Sequence, residues 1–131
     1  MGLDNGIDIR RNEKSMNVYD KIKCFEEDWA KQYGYNFNVC YWRKCHNIRT
    51  RIIMALGGIA DNGKIVLERE QISKIIAVLK SLNKNNWDEY GGSIWEWKEF
   101  KNQINRDIKN LKYLYRLMGK CDLDVYFYDS Y

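Results

Sequence analysis

The chain has 131 residues, 45% hydrophobic and 15% aromatic, which excludes a disordered polymer and allows one domain whose core needs no disulfide staples. A net charge of +4, from 22 Lys and Arg against 18 Asp and Glu, is too slight to mark a nucleic-acid binder by itself. No apolar run approaches the roughly 20 residues of a membrane span, and the first residues lack a signal peptide's apolar stretch, so a cytosolic chain with reduced cysteines is expected.

Residues 5–10 (NGIDIR) alternate apolar and polar and predict a short strand. From Asn17 to Tyr33, Val18, Ile22, Phe25 and Trp29 recur at helical spacing, and Gly34 supplies a stop. Residues 35–41 alternate again, with Tyr35, Phe37, Val39 and Tyr41 on one face and Asn36, Asn38 and Cys40 on the other. A helix is expected from Trp42 to Leu56, closed by Gly57-Gly58, and an Asp61-Asn62-Gly63 turn leads into a β-like run at 64–67.

Residues 69–83 carry Ile72, Ile75, Ile76, Leu79 and Leu82 on one helical stripe. A polar loop, 83–92, holds Trp87 and Tyr90. Ser93 with Glu96 forms a capping-box pattern opening the longest helix, which ends near Met118 with Gly119 beyond it. The alternating DLDVYFYD segment, 122–129, predicts a closing strand. No linker or repeat divides the chain. The expectation is a single α+β domain over 1–131, about four helices packed on a small, mostly antiparallel sheet.

Metal and catalytic patterns are weak. Cys40, Cys45 and His46 lie close in sequence, with Cys24 and Cys121 distant, but none forms the paired C-x2-C spacing of structural zinc. Adjacent Cys45 and His46 point about 100° apart on a helix, which does not suit a thiol and its base. A P-loop, a Rossmann glycine pattern and a Ser-His-Asp arrangement are missing, and the acidic residues are scattered. Neither a metal, a cofactor nor an enzymatic activity is expected.

Charge on an apolar stripe is the more informative signal. Projected as a helix, 42–56 places Trp42, Cys45, Ile48, Ile52, Ile53 and Leu56 on one arc, and Arg49 falls inside it. A buried guanidinium must find an anion. The long helix offers one, because Asp107 lies within its arc of Trp97, Phe100, Ile104, Ile108, Leu111, Tyr115 and Met118. Two readings stay open: an internal Arg49–Asp107 pair, given the greater weight, or a cavity where Arg49 meets an anionic ligand. The second draws on Arg43, Lys44 and free backbone N–H groups at a helix start, beside Tyr41 and Trp42, which could stack on a planar ring. Trp87, Tyr90 and Trp95 cluster around Gly91-Gly92, and Trp95, Arg106 and Tyr113 project away from the core arc.

The segments GLDNGI (Gly2 to Ile7), YWRKC (Tyr41 to Cys45) and VYFYDSY (Val125 to Tyr131) together resemble a family of small proteins encoded by phages and prophages of low-GC Gram-positive bacteria. The likeness spans the chain, and the family brings no catalytic residues to carry over. It implies a role against host defence, such as a sponge for cyclic-nucleotide or cyclic ADP-ribose-type immune signals. The resulting expectation is a non-enzymatic protein of the host bacterial cytosol, as a homo-oligomer, that sequesters a nucleotide-like small molecule without cleaving it. Phosphate would meet Arg43, Lys44 and Arg49. A base would stack on Trp42 or on Trp87 and Tyr90, with Asp4 and Asn5 as polar contacts. The alternatives are an inhibitor that covers a host defence enzyme with its Trp95/Tyr113 face, and a weak nucleic-acid binder.

Overall fold

A computed structural model describes residues 4–43, 45–58, 63–87 and 94–130, and of His46, Ile94 and Trp95 the backbone alone. Four strands, β1 (Asp4–Ile9), β2 (Phe37–Arg43), β3 (Lys64–Leu67) and β4 (Val125–Ser130), form one antiparallel sheet in the order β2-β1-β4-β3. The two central strands are therefore the first and last of these four in chain order. Helices α1 (Glu13–Met16), α2 (Tyr19–Ile22) and α3 (Asp28–Tyr33), with a 3₁₀ turn at Lys23–Phe25, link β1 to β2. Helix α4 (His46–Ala55) follows β2, α5 (Arg69–Lys80) follows β3, and α6 (Ile94–Met118) precedes β4. This is the expected α+β architecture.

Period-two alternation decides which side of the sheet is buried. In β1, Asn5, Ile7 and Ile9 face the helices. Their register partners are Trp42, Cys40 and Phe37 on β2 and Asp129, Phe127 and Val125 on β4. Ile48 and Ile52 of α4, Ile72, Ile75 and Leu79 of α5, and Ile104, Leu111 and Leu114 of α6 close over that layer. Removing these side chains from water is the main force holding the sheet to its helices.

Four sequence expectations change, each for a local reason. The helix expected from Asn17 to Tyr33 is broken into short pieces. Asn12 caps α1 through a reciprocal capping box with Ser15, and Glu26 turns extended, its carboxylate accepting from Arg11 and the Tyr19 hydroxyl. In β2 a bulge opposite Ile7/Asp8 turns both Val39 and Cys40 inward, so Trp42 is buried and Tyr41 faces out, against strict alternation. Pairing of Asp4 with Arg43 and Asn5 with Trp42 also keeps β2 extended through Arg43, so α4 begins at His46 rather than Trp42. On α6 the buried arc is rotated toward Asp107 and Leu114, with Ile108 and Tyr115 at its border. The expected Asp61-Asn62 turn, the Ser93 cap and the Asp88 to Gly92 loop lie outside the described residues.

Two glycines are fixed by geometry. Gly34 ends α3 at φ +69°, a left-handed conformation favouring glycine. Gly6, on the outer side of β1, has no room for a side chain: a Cβ there would lie 2.3 Å from the Cys40 carbonyl and 2.6 Å from the Tyr128 hydroxyl. The missing Cβ lets the Tyr128 ring lie down over β1.

Candidate functional site

The sheet face turned away from α4–α6 is not simply a solvated surface. Alternation places Asp4, Gly6 and Asp8 of β1, Asn38, Tyr41 and Arg43 of β2, and Tyr126 and Tyr128 of β4 on that side. The excursion between β1 and β2 folds past one edge, so that Phe25, Trp29 and Tyr35 stand over the strands. Between them lies a cleft of about 690 Å³, bordered on the sheet side by Asp8, Asn38, Tyr41 and Tyr128. That volume falls in the range of small-molecule sites, and the mixture of rings with a few polar groups is characteristic of them.

The polar groups are held in place by one another. Asn38 Nδ2 donates to Asp8 Oδ1 at 2.8 Å and to the Cys40 carbonyl at 3.0 Å. The Tyr126 hydroxyl reaches Asp8 Oδ2 at 3.5 Å and accepts from Asn36 Nδ2, while Asn36 Oδ1 accepts from the Arg11 backbone N–H at 2.9 Å. Further along, the Tyr41 hydroxyl donates to Asp4 Oδ1 at 2.9 Å. On the opposite wall the Trp29 Nε1–H donates to Glu27, and the Trp29 and Tyr35 rings lie 5.5 Å apart with Tyr33 6.0 Å beyond. Trp29 is 56% exposed although it sits on the apolar stripe of its segment.

Charge in the cleft is negative. Burial pushes the Asp8 carboxyl above its ordinary value, partly offset by the Asn38 and Tyr126 hydrogen bonds and the more distant Lys64 charge. Tyr128 is raised by burial and then by the Asp8 charge, and Tyr41 by its hydrogen bond to Asp4, so both phenols stay protonated at neutral pH. Among the described residues no cation lines the cleft, and no group of three or more His, Cys, Asp or Glu side chains is arranged to hold a metal ion. The arrangement can stack a planar group and accept its hydrogen bonds.

The residues singled out in the sequence are divided by the sheet. Asp4 and Arg43 are register partners at one end of the outer face, where Asp4 meets Tyr41. Asn5 and Trp42 point the other way. Trp42 is fully buried and its Nε1–H donates to Asp107 Oδ2 at 2.9 Å, so its ring offers no face to a ligand. Asn5 is also fully buried, and neither atom of its amide meets a hydrogen-bond partner among the described residues.

Arg49 pairs internally, but with Asp129 rather than Asp107. Its Nε and Nη2 donate to Oδ1 and Oδ2 at 2.8 Å each, and the Asp129 side chain is 3% exposed. Asp107, left with Trp42 and Cys40 on the inner side, has its pKa pushed up to about 6, chiefly by burial. Trp87 packs on Phe100 and Trp97 with centroids 5.0 and 6.1 Å away, well apart from the cleft's lining. Tyr113 is half-buried, its hydroxyl donating to the Lys21 carbonyl at 2.6 Å and its ring meeting Phe25. Lys44, Tyr90 and the Trp95 side chain lie outside the described residues.

Sequence reasoning missed Asp8, Asn38, Tyr128, Trp29 and Tyr35 as neighbours. One signal was available: Asp8 lies on the solvent side of β1, and the partner strands carry Asn38, Tyr126 and Tyr128 at positions of the same parity once β1 is placed centrally. Compared with protein-family models, curated proteins and solved structures, the chain finds no match in any of the three. Fold and cleft together define it as an α+β domain with an aromatic-walled, acceptor-lined cleft on the open face of its sheet.

Proposed function

We propose that the chain is a non-catalytic binding protein for a nucleotide-derived small molecule, held by its base in the outer-face cleft. The observation that carries this reading is the cleft itself: about 690 Å³, with exposed rings on both walls and buffered hydrogen-bond acceptors between them. A base inserted between Trp29 and Tyr41 would stack on their rings, while Asp8 and Asn38 would meet its polar edge. The negative lining is unsuited to phosphate, which would project from the mouth toward exposed Arg43 at the Asp4 end. Sequestration of a cyclic-nucleotide or cyclic ADP-ribose-type immune signal, the role implied by the likeness to phage proteins, needs affinity and no turnover.

Native mass spectrometry with a panel of cyclic nucleotides and ADP-ribose derivatives tests the reading and counts subunits. Retention of one ligand, recovered with unchanged mass, is the expected result. Bare protein across the panel, or a ligand returned in altered form, would sink it. A second reading has its own support. The row Trp29, Tyr33 and Tyr35 leaves rings 55–66% exposed, the kind of apolar surface by which an inhibitor covers a host enzyme. It differs from the Trp95/Tyr113 face, where Tyr113 is half-buried and the Trp95 side chain lies outside the described residues. A stable complex from host lysate that Trp29→Ala and Tyr33→Ala abolish would favour this second reading over the first.

A further inference from the structure

Hydrogen-bonding capacity in the cleft is unevenly spent. The amide and indole nitrogens that border it already donate within the protein: Asn38 Nδ2 to Asp8 and the Cys40 carbonyl, Asn36 Nδ2 to Tyr126, and the Trp29 indole N–H to Glu27. The acceptors are not used up. Each Asp8 oxygen takes a single contact, at 2.8 and 3.5 Å, and a carboxylate has about four acceptor sites. No Lys or Arg forms an ion pair with Asp8 among the described residues, the Lys64 charge acting only from a distance. Asp8 is thus a partly buried carboxylate without a close countercharge, flanked by aromatic rings.

A carboxylate at the floor of a stacking cleft selects one kind of ligand edge. Two parallel N–H donors on a planar group satisfy both of its oxygens at once, as in the bidentate carboxylate–guanidinium fork. A group with one donor and one acceptor leaves an oxygen facing a lone pair. We infer that the cleft recognises a planar N–C–N edge carrying two adjacent N–H donors, read by Asp8 and stacked against Trp29. Guanine presents this edge through its ring N–H and exocyclic amine. An arginine guanidinium presents the same one, with cation–π attraction to the rings in addition. Adenine presents a donor beside an acceptor, and hypoxanthine has lost the amine. The inference rests on the reading of the cleft as a ligand site and narrows it, favouring a guanine nucleotide over the adenine of ADP-ribose-type signals.

Calorimetric titration of the whole protein with guanosine, inosine, adenosine and N-acetylarginine amide tests it. Guanosine, the arginine derivative, or both should bind at least tenfold more tightly than inosine and adenosine, and Asp8→Asn should erase that difference. Guanosine alone would identify a nucleobase as the source of the edge. The arginine derivative alone would keep the donor-pair inference and remove the nucleotide reading, pointing to a peptide. Adenosine or inosine bound as well as guanosine would overturn the inference and leave the nucleotide reading standing. Silence from all four would overturn both. Because Asp8→Asn also touches the Asn38 and Tyr126 network, Trp29→Ala serves as a second variant. Its exposed ring supports no core, so the protein should stay folded and weaken for every bound ligand with the order of preference kept. Unchanged affinity in Trp29→Ala would overturn the placement of the ligand.

Discussion

The Trp42 indole N–H and the Asp107 carboxylate meet at 2.9 Å inside the core, yet burial costs the carboxylate more than this hydrogen bond offsets. Its pKa rises from 3.8 to about 6 on folding, so the folded chain holds the proton more tightly than the unfolded one. The contribution of this group to stability is therefore fully present below about pH 4 and is lost as pH rises through about 6, by on the order of 2–3 kcal/mol. Asn at this position keeps an oxygen for Trp42 and carries no charge. Urea denaturation should then show Asp107→Asn gaining on the parent chain between pH 4 and pH 7, and a stability difference constant with pH would refute the assignment. A residue-level expectation failed here for a simple reason. Arg49 and Asp107 were each recognisable as charges on apolar stripes, but stripes do not say which stripe faces which. Asp129, on a strand where alternation points it inward, was the nearer anion.

Elements with strong periodicity were legible: α5, most of α6, β1, β4 and the Gly34 stop all follow from spacing and end signals. Segments whose shape depends on contacts across the fold were not. The bulge in β2 is set by pairing with Ile7 and Asp8 over thirty residues away, and without it Tyr41 would point into the core and Trp42 out of it. The broken stretch before α3 is set by Glu26, which gains Arg11 and Tyr19 as partners only when the helix stops. The cleft depends on both, because its floor follows from strand order and its wall from the position of α3. Gly6 offers a direct test of the strand spacing. Gly6→Ala places a methyl against the Cys40 carbonyl, backbone that cannot rotate away, and against Tyr128. The expected result is a loss of about 2–3 kcal/mol in thermal or urea stability together with loss of ligand binding. An unfolding midpoint matching the parent would mean that β1 and β2 are spaced more widely than described.

Across the whole molecule, the architecture separates a rigid base from a lighter wall. β1 and β4 are central and buried beneath α4–α6, whereas the α1–α3 segment is made of short helices packed along one edge. Amide hydrogen exchange should follow that division, slowest in β1 and β4 and faster in 13–33, with ligand adding protection to 28–36 and to β2. Equal protection of wall and sheet, or added protection confined to α5 and α6, would place the binding surface elsewhere. A wall of lower stability over a fixed floor is the usual division of labour in binding proteins, where loops and short elements adapt while the sheet holds the polar groups in register.

The strand order has a consequence for how the chain acquires its structure. β4 is the last of the four strands to be made, yet it is the strand that bridges β1 and β3. During synthesis β1 and β2 can pair early and α4 to α6 can form locally, but β3 has no neighbour and β1 has one edge unfilled until Val125–Ser130 leaves the ribosome. For that interval the nascent chain carries an unpaired, apolar slot between two strands, open to any extended segment from another molecule. Final assembly is the insertion of a single strand into this slot, joining segments more than a hundred residues apart, and such distant closures are slow to form.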